Sequence, residues 1–270
     1  MKILTKPNQI NWLDDRFYHV ANDENNQPIY FDNVTGILNE YAKGFGFETW
    51  LKDVGHNAGI IANRAAESGT IVHRANHILS LGGEVNWADK VEGDYTYHGN
   101  HYTLDEWRGI LRFQEFMQKY KPIPLNPECI VYSKKYRYAG TVDLPCMIGD
   151  ERWIIDHKFS NEIYETAFLQ VAAYAFAWNE MYPEQKIDKV GVLHLRAKTR
   201  GADKSGKNIQ GHGWKLAVHP YSIEELFEVF LHALGIHNHK VKRGELPSEP
   251  ANRTYPTRIK LENIETKVKL

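Results

Sequence analysis

Two periods organise the apolar residues of this chain: short runs with a period of two read as strands, and longer stretches with a period of 3.6 read as helices. The clearest strand pair lies within residues 140–158, where two apolar runs flank Gly149-Asp150, a hairpin-turn dipeptide. A strand over 128–133 precedes it, and an antiparallel pair over 190–195 and 214–218 follows. Helices are predicted from Val34 to Trp50, with Asn33 as cap and a break at Gly44, and from Ala58 to Leu81, stopping at Gly82-Gly83. The capping box Thr103/Glu106 opens another that runs to Tyr120, a further one spans Glu162 to Tyr182, and a second box, Ser222/Glu225, starts the last, to Arg243. Residues 9–32, with Asn25-Asn26 and a proline, predict a short two-stranded element. The pattern is that of an α/β chain in one domain. It has a mainly helical front over 1–125, a small mixed sheet over 126–220, and a C-terminal helix with an extended, proline-bearing tail over 221–270.

Alternation places Asp156 and Lys158 on one face of the second hairpin strand and Trp153, Ile155 and His157 on the other, so that His157 is expected to point away from any site on the first face. Asp143 is expected on the preceding strand. A carboxylate ending a buried run such as Trp153 to Ile155 costs several kcal/mol unless it is paired or binds a cation. A hard divalent ion, Mg2+ or Mn2+, would relieve that cost, and Lys158 adds a donor for a phosphate or a water. The competing reading is an exposed hairpin carrying a salt bridge. Gly69 lies inside a helix, where it costs about 1 kcal/mol relative to alanine, and close packing against the hairpin would be a reason for it. His73 and His77 stand one turn apart, the spacing of a zinc pair, with His77 the bystander of the two.

Composition narrows the chemistry. With 270 residues and a formal net charge of -1, the chain has no global field to draw it to nucleic acid, so any such contact must be local. Two basic segments qualify. Lys134, Lys135 and Arg137 occupy a turn, and the glycine-rich stretch 197–213 places Lys198, Arg200, Lys204 and Lys207 against Asp203 in what reads as a flexible loop. Each is equally a solvated surface segment. Trp12, Phe17, Tyr18, Tyr30 and Phe31 read as core, or as platforms for unpaired bases. Cys129 and Cys146 give no disulfide framework. No apolar run approaches a membrane span and the start of the chain lacks a signal-peptide core, from which a cytoplasmic location is expected.

GTVD at 140–143 followed by IIDHK at 154–158 resembles motifs II and III of the PD-(D/E)xK nuclease superfamily, with Val142 where the nominal motif has proline. GTIVH at 69–73, Glu128, and QVAAY at 170–174 stand in the order found in its RecB-like branch. The nearest likeness is to the phage exonuclease and mitochondrial genome maintenance exonuclease type, in which a stretch similar to NVTGIL at 33–38 occurs, so the resemblance covers roughly residues 30–200. It implies a restriction-endonuclease-like core and a Mg2+- or Mn2+-dependent deoxyribonuclease. Its partner would be DNA with a free single-stranded end, in replication, recombination or repair. It also implies roles: Asp143, Asp156 and His73 on the metal, Lys158 on the attacking water or the developing charge, Glu128 as a further ligand or water-orienting carboxylate, and Gln170 and Tyr174 facing the substrate. Some RecB-like nucleases carry an iron-sulfur cluster, for which two cysteines are too few. A structure-specific endonuclease using the same site and a non-catalytic nucleic-acid-binding module are the alternatives.

Overall fold

The computed structural model describes residues 1–12, 15–42, 44–88, 101–202 and 208–250. Three strands open the chain, β1 (Lys2–Trp12), β2 (Asp15–Asn22) and β3 (Pro28–Asn33), with Asn26 in the left-handed region at the turn between the last two. One more strand is present here than the sequence predicts. β1 pairs only with β2 and is largely exposed, so its residues carry no apolar alternation to betray it.

Asn33 then caps α1 (Val34–Ile37), its Oδ1 accepting from Gly36 N at 2.6 Å. A 3-10 turn over Leu38–Glu40 ends that helix, and the chain resumes as α2 (Gly44–Val54) from a left-handed Gly44. α3 (Ala58–Ser80) stops where Gly82 takes a φ of 78° and Gly83 N bonds back to Ile78 O. α4 (Leu104–Tyr120) starts at the Thr103/Glu106 capping box and ends at left-handed Lys121.

The short β4 (Ile123–Pro124) leads into β5 (Cys129–Ser133), β6 (Tyr138–Val142), β7 (Leu144–Ile148) and β8 (Glu151–Lys158), with Gly149 left-handed in the predicted hairpin turn. After α5 (Glu165–Met181) come β9 (Lys189–Ala202), β10 (Asn208–Ala217) and α6 (Ile223–Lys242), the last behind the Ser222/Glu225 box.

These strands form two mixed sheets where one was predicted, ordered β1-β2-β3-β6-β5 and β10-β9-β8-β7-β4. β3 runs parallel to β6 and β8 parallel to β9, and the remaining pairs are antiparallel. Between β6 of the first sheet and β7 of the second stands one residue, Asp143, in a bend.

The second sheet is the middle layer of an α/β/α sandwich. Ile154 of β8 packs on the α5 face with Leu169 and Ala173, while Trp153 and Ile155 pack on the opposite face with Ile71 of α3 and Phe113 and Phe116 of α4. α6 lies outside α5, with Phe227 stacked on Phe176 at 3.7 Å.

Phe17, Tyr18 and Phe31 are buried, so these front aromatics are core and not a platform for bases. The segment 197–213 is largely strand and not a loop, because Ala197–Ala202 pair with Asn208–Gly213; Lys198 stands opposite His212 and Arg200 opposite Gln210. Lys204, Lys207 and the tail over 251–270 lie outside the described residues. Among the described residues no helix is long and apolar enough to cross a membrane.

Glu106 is buried and also accepts from Ser68 Oγ at 2.8 Å, which ties the capping box of α4 to α3. Thr103→Ala is expected to cost about 1 kcal/mol of stability and Thr103→Ser a few tenths, as read by urea denaturation.

Candidate active site

Asp143 sits where β6 and β7 part company, one residue beyond the Leu144–Ile155 pair, and so stands opposite Asp156 across the mouth of the fork. Its Oδ2 accepts from the backbone N of His157 at 2.8 Å, which fixes the carboxylate to β8. The same oxygen lies 3.4 Å from His73 Nδ1 of α3. Glu128 is not on a strand as predicted. It precedes β5 with a φ of 60°, and its backbone N donates to Asp143 O at 3.2 Å.

β8 presents different chemistry on its two faces. Toward α5, Lys158 Nζ forms an ion pair with the buried Asp156 Oδ2 at 2.7 Å. Lys158 Nζ also donates to Gln170 Oε1 at 3.1 Å, and Gln170 Nε2 donates to Tyr174 Oη at 2.9 Å. The i,i+4 pair on α5 thus holds the lysine from behind.

Gly140 is what lets Tyr174 lie there, since a Cβ on that residue would meet Tyr174 Cε1 at 2.3 Å. Toward α3 and α4, the His157 ring lies 5.7 Å from that of His73 and 4.9 Å from Phe113. The expectation that His157 points away from the site is corrected. It does leave the Asp156 face, but α3 brings His73 to that other face, and ligand atoms of His73, Asp143 and His157 all fall within 4.8 Å of one another.

Burial opposes ionisation of both carboxylates, with opposite outcomes. At Asp143 the burial penalty is outweighed by His73, through charge and hydrogen bond, and then by His157 and Lys158, which hold its carboxyl below the usual range. At Asp156 burial prevails over the attraction of Lys158, Asp143 repels, and the pKa is pushed up to about 6. Burial likewise lowers His157 to about 3. Burial also disfavours the charged forms of His73 and Lys158, but Asp143 outweighs it at His73, and Asp156 with Asp143 outweighs it at Lys158, so both end raised. Glu128 is raised by burial and by Asp143. His73 and Lys158 are partly exposed, with side-chain exposures of 26% and 29%, whereas Asp156 is at 3%.

The remaining predicted residues fall elsewhere. Lys134, Lys135 and Arg137 form the β5–β6 turn at the opposite end of β6 from Asp143, where the backbone N–H groups of Lys134 and Lys135 bond to Glu180. An open groove of about 650 Å³ follows β5 from Glu128 to Lys134, walled by Leu4–Pro7 and by Glu180–Tyr182. Gly69 does not pack closely on the hairpin, since a Cβ there would meet nothing within 4 Å, and it leaves open space one turn before His73. His77 stays outside the cluster, although its charge interacts with Glu128. The part of His157 was missed because strand alternation assigns a face without revealing which helix covers it.

Gly140→Ala is expected to displace Tyr174 and cost about 1–3 kcal/mol, as overpacking does, with a loss of order at Lys158 visible in the amide and ammonium resonances of α5 and β8. The raised pKa of Asp156 means that the folded protein binds a proton more tightly than the unfolded chain, so the metal-free protein loses stability as pH rises from about 4 through about 6. In EDTA, Asp156→Asn is therefore expected to melt above wild type at pH 8, with the difference closing toward pH 4. No protein-family model matches the chain, and no curated protein matches it significantly.

Proposed function

We propose that the chain is a metal-dependent deoxyribonuclease of the PD-(D/E)xK kind with a restriction-endonuclease-like core, acting as an exonuclease on DNA with a free single-stranded end. The observation that carries this reading is the convergence of Asp143, Asp156 and Lys158 on one fork with His73 at its rim. The donor set suits a divalent ion. Two carboxylates face one another, that of Asp156 buried, and the Asp143 carboxyl is held ionised by its surroundings. Asp143, Asp156 and His73 would hold Mg2+ or Mn2+, which supplies charge neutralisation at the phosphate and a water of lowered pKa.

The chain's own residues supply the rest. Hydrolysis joins a water oxygen to phosphorus as the bond to one ester oxygen breaks, leaving a phosphate monoester and a hydroxyl. Negative charge grows on the phosphoryl oxygens during that exchange, and fixed positive charge aimed at them is the largest stabilising contribution. Lys158 meets this need. Its ammonium is held charged by Asp156 and Asp143, fixed by Gln170, and open to solvent on the remaining side. Gln170 and Tyr174 are positioning residues for it, and Gly140 makes their approach possible.

Digestion of end-labelled linear and of circular single-stranded DNA with Mg2+, Mn2+ or EDTA tests the reading. Metal-dependent loss of the linear substrate alone is expected, with Asp156→Ala and Lys158→Ala each reducing kcat by about 10²-fold or more. Cutting of circles would make the protein an endonuclease, and binding without cleavage would make it a nucleic-acid-binding module. Gln170→Ala is expected to lower kcat with KM little changed, and to be milder than loss of the lysine.

A further inference from the structure

We propose that His157 is itself a metal ligand, so that two imidazoles stand beside the carboxylates around the ion, and that the site therefore selects Mn2+ and its first-row neighbours over Mg2+. The proposal rests on the nuclease reading only in supposing that an ion binds at Asp143. Three observations carry it. Ligand atoms of His73, Asp143 and His157 lie within 4.8 Å of one another, close to the roughly 3–4 Å that separates atoms bonded to one ion at about 2.1 Å. The His157 side chain belongs to a residue only 2% exposed, and its Nε2 is buried with no hydrogen-bond partner. A merely structural histidine on this apolar face, against Phe113, would leave that nitrogen's polarity unanswered, which a bound cation answers.

The third observation concerns Asp156. Lys158 engages its Oδ2 on the α5 face, so on the α3 face it is the two imidazoles that approach Asp143. Imidazole nitrogen suits first-row transition ions, whereas Mg2+ takes oxygen ligands and keeps its waters. The Asp143 carboxylate is pinned to β8 by the backbone N of His157, so the same residue positions one ligand and supplies another.

The test is calorimetric titration of the EDTA-stripped full chain with Mn2+ and with Mg2+, together with pulsed electron paramagnetic resonance of the bound Mn2+ to count coupled imidazole nitrogens. Wild type is expected to bind Mn2+ at least about tenfold more tightly than Mg2+ and to show two coupled histidines. His157→Gln is expected to show one and to lose about tenfold or more in Mn2+ affinity, with Mg2+ binding little changed. Equal affinity for the two ions, a single coupled nitrogen in wild type, or Mn2+ binding unaltered in His157→Gln would each overturn the proposal. Should His157→Gln not fold, the count in wild type decides alone. DNA digestion on the same samples separates the two readings: cleavage with one coupled nitrogen sinks only the role of His157, and two nitrogens without cleavage sinks only the nuclease.

Discussion

Placing two carboxylates face to face inside a protein is unfavourable, because each must give up water and each repels the other. Asp143 and Asp156 are in that position, and much of the surrounding architecture follows from it. The strands must diverge there, since a continuous ladder would bury both groups beyond reach, and the bend that carries the chain from one sheet to the other is where they do. Positive or donating groups must then be supplied from outside the fork. α3 supplies His73, β8 supplies its own backbone N–H and Lys158, and α5 supplies Gln170 to steady the lysine. The result is an Asp143 held below the usual carboxylate range beside an Asp156 that burial pushes up to about 6. The split follows from what each acid faces, His73 and the His157 backbone N–H at Asp143 against deeper burial and one lysine at Asp156.

The sandwich explains how one strand serves two purposes. β8 runs between α5 and the α3/α4 pair, so successive residues address different layers. Asp156 and Lys158 join the hydrogen-bonded chain that runs through Gln170 to Tyr174 and rests on Gly140. His157, between them, joins His73. Asp143 is the point at which the two networks meet.

What the sequence conveys well is whatever depends on local spacing. The capping residues Asn33, Thr103 and Ser222, the Gly149 turn, the stop at Gly82 and the shared face of Gln170 with Tyr174 all rest on interactions within a few residues, and each is found as predicted. Division of the strands into two sheets was not legible, because pairing partners such as β3 and β6 lie about a hundred residues apart and no local signal links them. Gly69 and Gly140 make the same point from opposite sides. A glycine in a motif suggests close approach, but only the tertiary structure reveals that Gly140 meets Tyr174 while Gly69 faces open space. The candidate site was legible in its acids and lysine, and not in the ring of His157.

Charge placement bears on how a polyanion would be handled. Arg137 is six residues up β6 from Asp143, about 20 Å at the rise of a strand, which is more than two Debye lengths at physiological salt. Its field does not reach the fork, and neither does that of Lys135 beside it. Among the described residues, Lys158 and His73, each with a raised pKa, are the cationic side chains set against the two acids. The groove along β5 adds geometry to this division of labour, since it joins Glu128 near the fork to Lys134 at the far end. The groove's two ends therefore differ in chemistry, an acid beside the fork and a base beyond the reach of its field.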